Sequence, residues 1–177
     1  RSFSDGFEET DWYISDFTFK SLFYRAGWVA ENVHFENPSI SLEINRKPVD
    51  HQPYSGAEVQ KRGYYGFGRY EVVMQAAPGS GTVSSFFTHT DATFGDPHDE
   101  IDIEFLGNNT RQIHANVFAD GKTTGSIYID LPFDAAEEIH LSDLVCRWSA
   151  AKSRNIRRAA NPAESGPDNY EHLDRNG

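Results

Sequence analysis

The sequence predicts an all-β domain, an antiparallel sandwich or barrel. Turn signals recur every 8–12 residues or so, the segments between them alternate apolar and polar residues, and no segment holds a helical period over three turns. Aromatic residues make up 14% of the chain, which suits strands or surfaces that stack on a flat ligand. A length of 177 residues is enough for one domain with a true core and too short for two ordinary ones.

The strands are expected in order. "SISLEI" (39–44) places Ile40, Leu42 and Ile44 on one face. "GRYEVVMQA" (68–76) and "GTVSSFFTHT" (81–90) are bounded by the turn signals "APGSG" and "TFGDP". "RQIHANVFAD" (111–120) sets Ile113, Ala115 and Val117 against His114, Asn116 and Phe118, and "GSIYIDL" (125–131) follows a turn at "DGKTTG". After Trp148 the pattern stops, and 149–177 offers only Ile156, Tyr170 and Leu173 as large apolar residues. The domain is therefore placed at 1–148, with 149–177 a polar tail expected to be irregular and loosely held.

Charge and cysteine content narrow the partners. A net charge of −11 argues against a nucleic-acid polyanion and fits a solvated acidic surface. Cys146 is the sole cysteine, so there is no intrachain disulfide and no cysteine-based zinc site. No stretch approaches the roughly 20 apolar residues of a membrane span, so no membrane partner is expected. The chain begins at Arg1 rather than Met, which leaves room for a leader removed by processing.

The run "PHDEIDIEFLGNN" (97–109) carries the chemistry. Glu100, Asp102 and Glu104 alternate with Ile101, Ile103 and Phe105, giving a strand with one carboxylate face and one apolar face. Three like charges on one face repel, and so call for a reason. Along a strand the Cα atoms of Glu100 and Glu104 lie roughly 13 Å apart, and two inward-leaning Glu side chains, each reaching about 3.5 Å, would leave their carboxyls about 6 Å apart. Retaining glycosidases hold two carboxyls at ≈ 5–5.5 Å. Between them, Asp102 can hydrogen-bond one neighbour and raise the pKa of the other by repulsion. By spacing alone, a catalytic pair, an acidic solvent face and a calcium site all remain open, calcium least, since hard cations usually draw their ligands from a turning loop.

"DEIDIEFLG" (99–107) resembles the signature of glycoside hydrolase family 16, E-[ILV]-D-x-E. The likeness runs in register over residues 2–148: "SFSDGF" and "DWYISD" resemble the family's mature N-terminus, and "GAEVQKRGYYGFGRYEVVMQAAPGSGTVSSFFTHT" (56–90) resembles the strands before the motif in bacterial lichenases (β-1,3-1,4-glucanases) and succinoglycan-depolymerising endoglycanases. The resemblance implies a concanavalin A-like jelly-roll sandwich with the carboxylate strand on its concave face. It implies that Glu100 is the nucleophile, Asp102 the assisting carboxylate and Glu104 the acid/base, roles that spacing could not assign. The motif lacks the extra residue that would make a bulge and re-aim the last Glu. That regular form belongs to lichenases and xyloglucan-active relatives, which points to a mixed-linkage or succinoglycan-type β-glucan.

Other positions carry over singly. Glu58 matches a substrate-binding Glu of lichenases, and Gln60 stands where they have Arg. His98 holds a position of Trp in lichenases and of His or Trp in the succinoglycan enzymes, and His89 replaces a sugar-contacting Tyr. Asn116 matches a family Asn, and Phe118 replaces a Tyr. Histidines at 89 and 98 are, each taken alone, as well explained by a hydrogen bond or by exposure as by a ligand. Arg25 and Gly56 stand near where the family's two bridged cysteines would lie.

The C-terminal end departs from the pattern. "LVCRWSA" (144–150) resembles a family strand, but the strands that would follow, one with a sugar-stacking Trp, are not recognisable, so the tail reads as frameshifted or truncated, with a divergent or circularly rearranged end as the alternative. The expected activity is that of a secreted or periplasmic retaining endo-β-glucanase acting on β-glucan polysaccharide, with no catalytic cofactor. A structural calcium ion is common on the family's convex face, but the C-terminal Asp it needs cannot be placed in this chain. The alternatives are a non-catalytic carbohydrate-binding jelly roll or inactive truncated member, and a transglycosylase of the same mechanism. Oligomeric state is not legible.

Overall fold

The computed structural model describes residues 11–21, 23–36 and 39–146. The expectation for the tail, 149–177, lies outside them. Among the described residues there are twelve β-strands, two short 3-10 turns and no α-helix. They form two compact units, one ending at Tyr64 and the other beginning at Tyr65.

In the first unit, β1 (Trp12–Ile14), β2 (Ala26–Trp28), β3 (Val33–Glu36), β4 (Ser39–Leu42), β5 (Tyr54–Gly56) and β6 (Val59–Lys61) pair two by two. β1 runs antiparallel to β6 and β3 to β4, but β2 and β5 are parallel, a departure from the all-antiparallel expectation. The parallel pair is possible because 25 residues of chain separate the two strands, ample for the crossover that parallel pairing requires. A Cβ at Gly56 would press on the Trp28 ring, at 3.0 Å from Cζ3, so glycine there lets the ring lie close against β5. Strand β4 is shorter than the sequence pattern, and Leu42 and Ile44 are about half exposed.

The second unit holds β7 (Gly68–Met74), β8 (Val83–Thr90), β9 (Asp99–Leu106), β10 (Gln112–Ala119), β11 (Lys122–Asp130) and β12 (His140–Cys146). β11-β10-β9-β8 form one antiparallel four-stranded sheet, and β12 pairs with β7. The turn before β11 is tighter than "DGKTTG" suggested. Asp120 (φ 57°) and Gly121 (φ 73°) both take the left-handed conformation of a two-residue hairpin turn, so β11 starts at Lys122. A register shift between Val117 and Phe118 absorbs the difference.

The apolar face of β9 makes the core. Ile103 and Phe105 are buried with Ala76 and Ala135, and Met74, Phe86, Ile113, Leu131 and Phe133 pack around them. Because Phe105 is held at 2% exposure, the register of β9 is fixed, and a one-residue slip would bury the carboxylates instead.

Candidate active site

Cross-strand register gathers one polar face at the centre of the four-stranded sheet. Opposite Glu100 stand His89 on β8 and Phe118 on β10; opposite Asp102 stand Phe87 and Asn116; opposite Glu104 stand Ser85 and His114. Directly opposed side chains lie within contact reach on one face of a sheet, so alternation alone places three carboxylates among three residues of each neighbour. Asp102, in the middle, is buried, while Glu100 and Glu104 remain about one-fifth exposed.

Each glutamate has its own histidine. His98 Nε2 lies 2.7 Å from Glu100 Oε2, and His89 Nδ1 lies 3.5 Å from the same oxygen. His114 Nδ1 lies 2.7 Å from Glu104 Oε2, with its Nε2 2.6 Å from Ser126 Oγ. The rings are also stacked: His98 on Phe118 at 5.2 Å, His114 on Tyr128 at 4.6 Å. His89 is fixed from behind by Asp91, whose buried carboxylate meets His89 Nε2 at 3.2 Å and accepts from the Thr93 backbone N–H at 2.8 Å. The same Asp91 caps a 3-10 turn (Ala92–Phe94) that ends at Gly95 (φ 77°) and returns the chain to His98. At the same end of β9, the Gly121 N–H donates to the His98 carbonyl at 2.8 Å, tying the β10–β11 turn to that residue.

Burial and these contacts set Glu100 and Asp102 apart electrostatically. Burial pushes Glu100 up, but hydrogen bonds and charge from His89 and His98 outweigh it and hold its carboxyl below the ordinary value. Burial, with the charges of Glu100 and Glu104 beside it, pushes Asp102 up to about 7, so it still holds its proton in weakly acidic solution and shares it with Glu100. Burial also opposes charge on His89, yet its bonds to Asp91 and Glu100 raise it to about 9. The face thus sets a carboxyl held low, Glu100, beside one pushed up, Asp102, with a second Glu four residues along the strand.

Of the residues singled out in the sequence, Glu100, Asp102, Glu104, His89, His98, Asn116 and Phe118 share this face. His89 and His98 contact Glu100 directly, and Phe118 reaches it through His98, on which it stacks. Asn116 Oδ1 accepts from Thr123 Oγ1 at 3.3 Å. Glu58 and Gln60 belong to the first unit, where Gln60 Nε2 and Ser15 Oγ donate to Glu58 Oε1 at 2.7 and 2.6 Å. Asp91 and His114 were not singled out as site residues. His114 could have been found from its alternation with Asn116; Asp91 had only its place at the end of a strand, and its partner becomes visible only in the fold.

Residues 22–151 match the family model described as glycosyl hydrolases family 16. The chain is 36% identical over 134 residues to a beta-glucanase of Acetivibrio thermocellus, covering 76% of this chain and 40% of that one. It is 37% identical over 138 residues to a beta-glucanase of Brevibacillus brevis, covering 77% and 53%. A crystal structure of a prokaryotic beta-1,3-1,4-glucanase (lichenase) derived from a mouse hindgut metagenome superimposes with a TM-score of 0.77 at 34% identity, covering 82% of this chain and 68% of that one. The fold is accordingly a jelly-roll β-sandwich. The chain spans about half the length of the curated relatives it matches.

Proposed function

The chain belongs to glycosyl hydrolase family 16, and from that premise we propose that it is a retaining endo-β-glucanase. The substrate is a β-glucan, either mixed-linkage β-1,3-1,4-glucan or a succinoglycan-type polymer, met outside the cytoplasm in the secreted or periplasmic space. The observation that carries this reading is the pair Glu100 and Glu104 on one strand face, with the buried Asp102 between them.

In this reading the Glu100 carboxylate attacks the anomeric carbon while Glu104 gives its proton to the departing glycosidic oxygen. The C–O bond to the leaving sugar breaks as the bond to Glu100 forms. Glu104, now a carboxylate, then takes a proton from water, whose oxygen displaces Glu100 from the same carbon. Two inversions give net retention. His89 and His98 serve the first step by keeping Glu100 ionised, and Asp102 by a hydrogen bond that orients it. Glu58, Gln60, Asn116 and Phe118 are assigned to substrate contact, by resemblance.

The test is a reducing-sugar assay on barley β-glucan, lichenan, laminarin, xyloglucan and succinoglycan, with products sized by chromatography. Internal cleavage of lichenan or succinoglycan is expected. Binding to these polymers without cleavage would replace the enzyme by a carbohydrate-binding module. Products longer than the substrate would make it a transglycosylase.

A further inference from the structure

We propose that His89 Nδ1, His98 Nε2 and Glu100 Oε2 form a binding site for a zinc-class divalent cation, and that the cation shuts the active site by occupying Glu100. Only the shutting rests on Glu100 being the nucleophile; the binding does not.

The three donor atoms lie within 4.8 Å of one another. Two of the separations are already short, 2.7 Å from His98 and 3.5 Å from His89 to the Glu100 oxygen. In a tetrahedral site with bonds of about 2.0–2.1 Å, ligand atoms sit roughly 3.3 Å apart, so small side-chain rotations close the set. Two imidazoles and one carboxylate, with a fourth position open, suit zinc; calcium and magnesium prefer oxygen alone.

The surroundings fit a metal centre beyond the three ligands. Asp91, 1% exposed, takes one ring nitrogen of His89 and so aims the other at Glu100, the carboxylate–histidine arrangement that orients metal ligands. Phe118 stacks on His98 at an interplanar angle of 17° and sets its ring plane. His89 and Glu100 are cross-strand partners on adjacent strands, so two ligands come from rigid elements. Their side chains remain 27% and 20% exposed and His98 33%, which leaves an entry path. A bound cation would replace the protons that now bridge these groups and would direct the Glu100 lone pair at itself.

The experiment titrates Zn²⁺ into the chelator-stripped full chain by calorimetry, with Co²⁺ as a spectroscopic probe of coordination. One site is expected, with the visible absorption of four-coordinate Co²⁺. Glu100→Gln and His98→Ala should each weaken binding at least tenfold, and Asp91→Asn by about 10–100-fold. His34→Ala, which removes an exposed His–Glu pair elsewhere, should change nothing. Glu100→Gln preserves shape and decides the matter if a histidine variant does not fold. Undiminished Zn²⁺ binding in Glu100→Gln, loss of the Co²⁺ spectrum in His34→Ala, or no binding at all overturns the site. Zn²⁺ should also stop turnover reversibly, with recovery on adding chelator. Tight binding at these residues without loss of turnover would leave the site standing and remove Glu100 from the reaction.

Discussion

His114 Nδ1 lies 2.7 Å from Glu104 Oε2. With Glu104 as the proposed acid/base, the contact can serve both of its states: a protonated carboxyl donates to the imidazole, and an imidazole N–H donates to the carboxylate. Ser126 meets the other ring nitrogen and Tyr128 stacks on the ring face. Hydrogen bonds to charged groups are worth about 1.5–3 kcal/mol, or roughly ten- to a hundredfold in rate if the bond forms part of the transition state. His114→Ala should therefore lower kcat by that factor with KM little changed, and His114→Gln should recover part of the loss. A matched rise in KM with kcat intact would make His114 a substrate contact instead.

Azide distinguishes the two glutamates. Glu100→Ala should abolish turnover, and added azide should restore it as an α-glycosyl azide, because azide then enters the space on the face the nucleophile left. Glu104→Ala should give a β-glycosyl azide, formed by attack on an intact glycosyl-enzyme. An α-product from Glu104→Ala would exchange the two assignments.

The β9 trio was legible because period-two alternation survives folding: the apolar residues Ile103 and Phe105 did fix the register, and the carboxylates followed. The strand order around it and the cross-strand histidines were less so. Nothing local says that His89 faces Glu100, since ten residues and a turn separate them, and only the register of β8 on β9 makes them neighbours. Asp91 was illegible for the same reason. The "DG" turn at Asp120–Gly121 could have been read from the preference for left-handed residues, but the threonines after it looked like more of the turn. The exposed faces of β4 and β11 show the converse, apolar alternation that the described residues leave uncovered at Leu42, Ile127 and Ile129.

Gly107 ends β9 in a space with no room for a side chain. A Cβ there would overlap Thr82 Oγ1 and the Gly79 carbonyl oxygen. Those atoms cannot move aside cheaply, because Gly79 N–H donates to the Gly107 carbonyl at 2.9 Å and the Gly107 N–H donates to the Thr82 carbonyl at 2.9 Å. Gly107→Ala should cost about 1–3 kcal/mol, as overpacking does, read as a lower denaturant midpoint with unchanged slope. Gly66→Ala is the control, since a Cβ there meets nothing within 4 Å. Equal midpoints for the two variants would show that the turn yields.

The last prediction concerns pH, measured with chelator present so that no cation holds His89 or His98. Asp102 titrates at about 7 in the fold against an ordinary value of 3.8, so the folded state keeps a proton that the unfolded chain has released. A raised pKa contributes stability that is full below the ordinary value and is lost as pH climbs toward the folded one, here between about 4 and 7. His89, raised from 6.5 to about 9, loses its share in the same direction over the window above. Glu100 and Asp91 are depressed and act oppositely, losing stability only as pH falls through their lowered values. Asp102→Asn keeps a hydrogen-bond donor beside Glu100 but removes the ionisation. Relative to the wild type, this variant should grow more stable as pH rises from 4 to 7, by a few kcal/mol at most. It should also lose the inflection near 7 from the pH dependence of kcat/KM while retaining more activity than Glu100→Gln. A stability difference that is flat across 4–7, with an unchanged rate profile, would mean that Asp102 carries no shared proton.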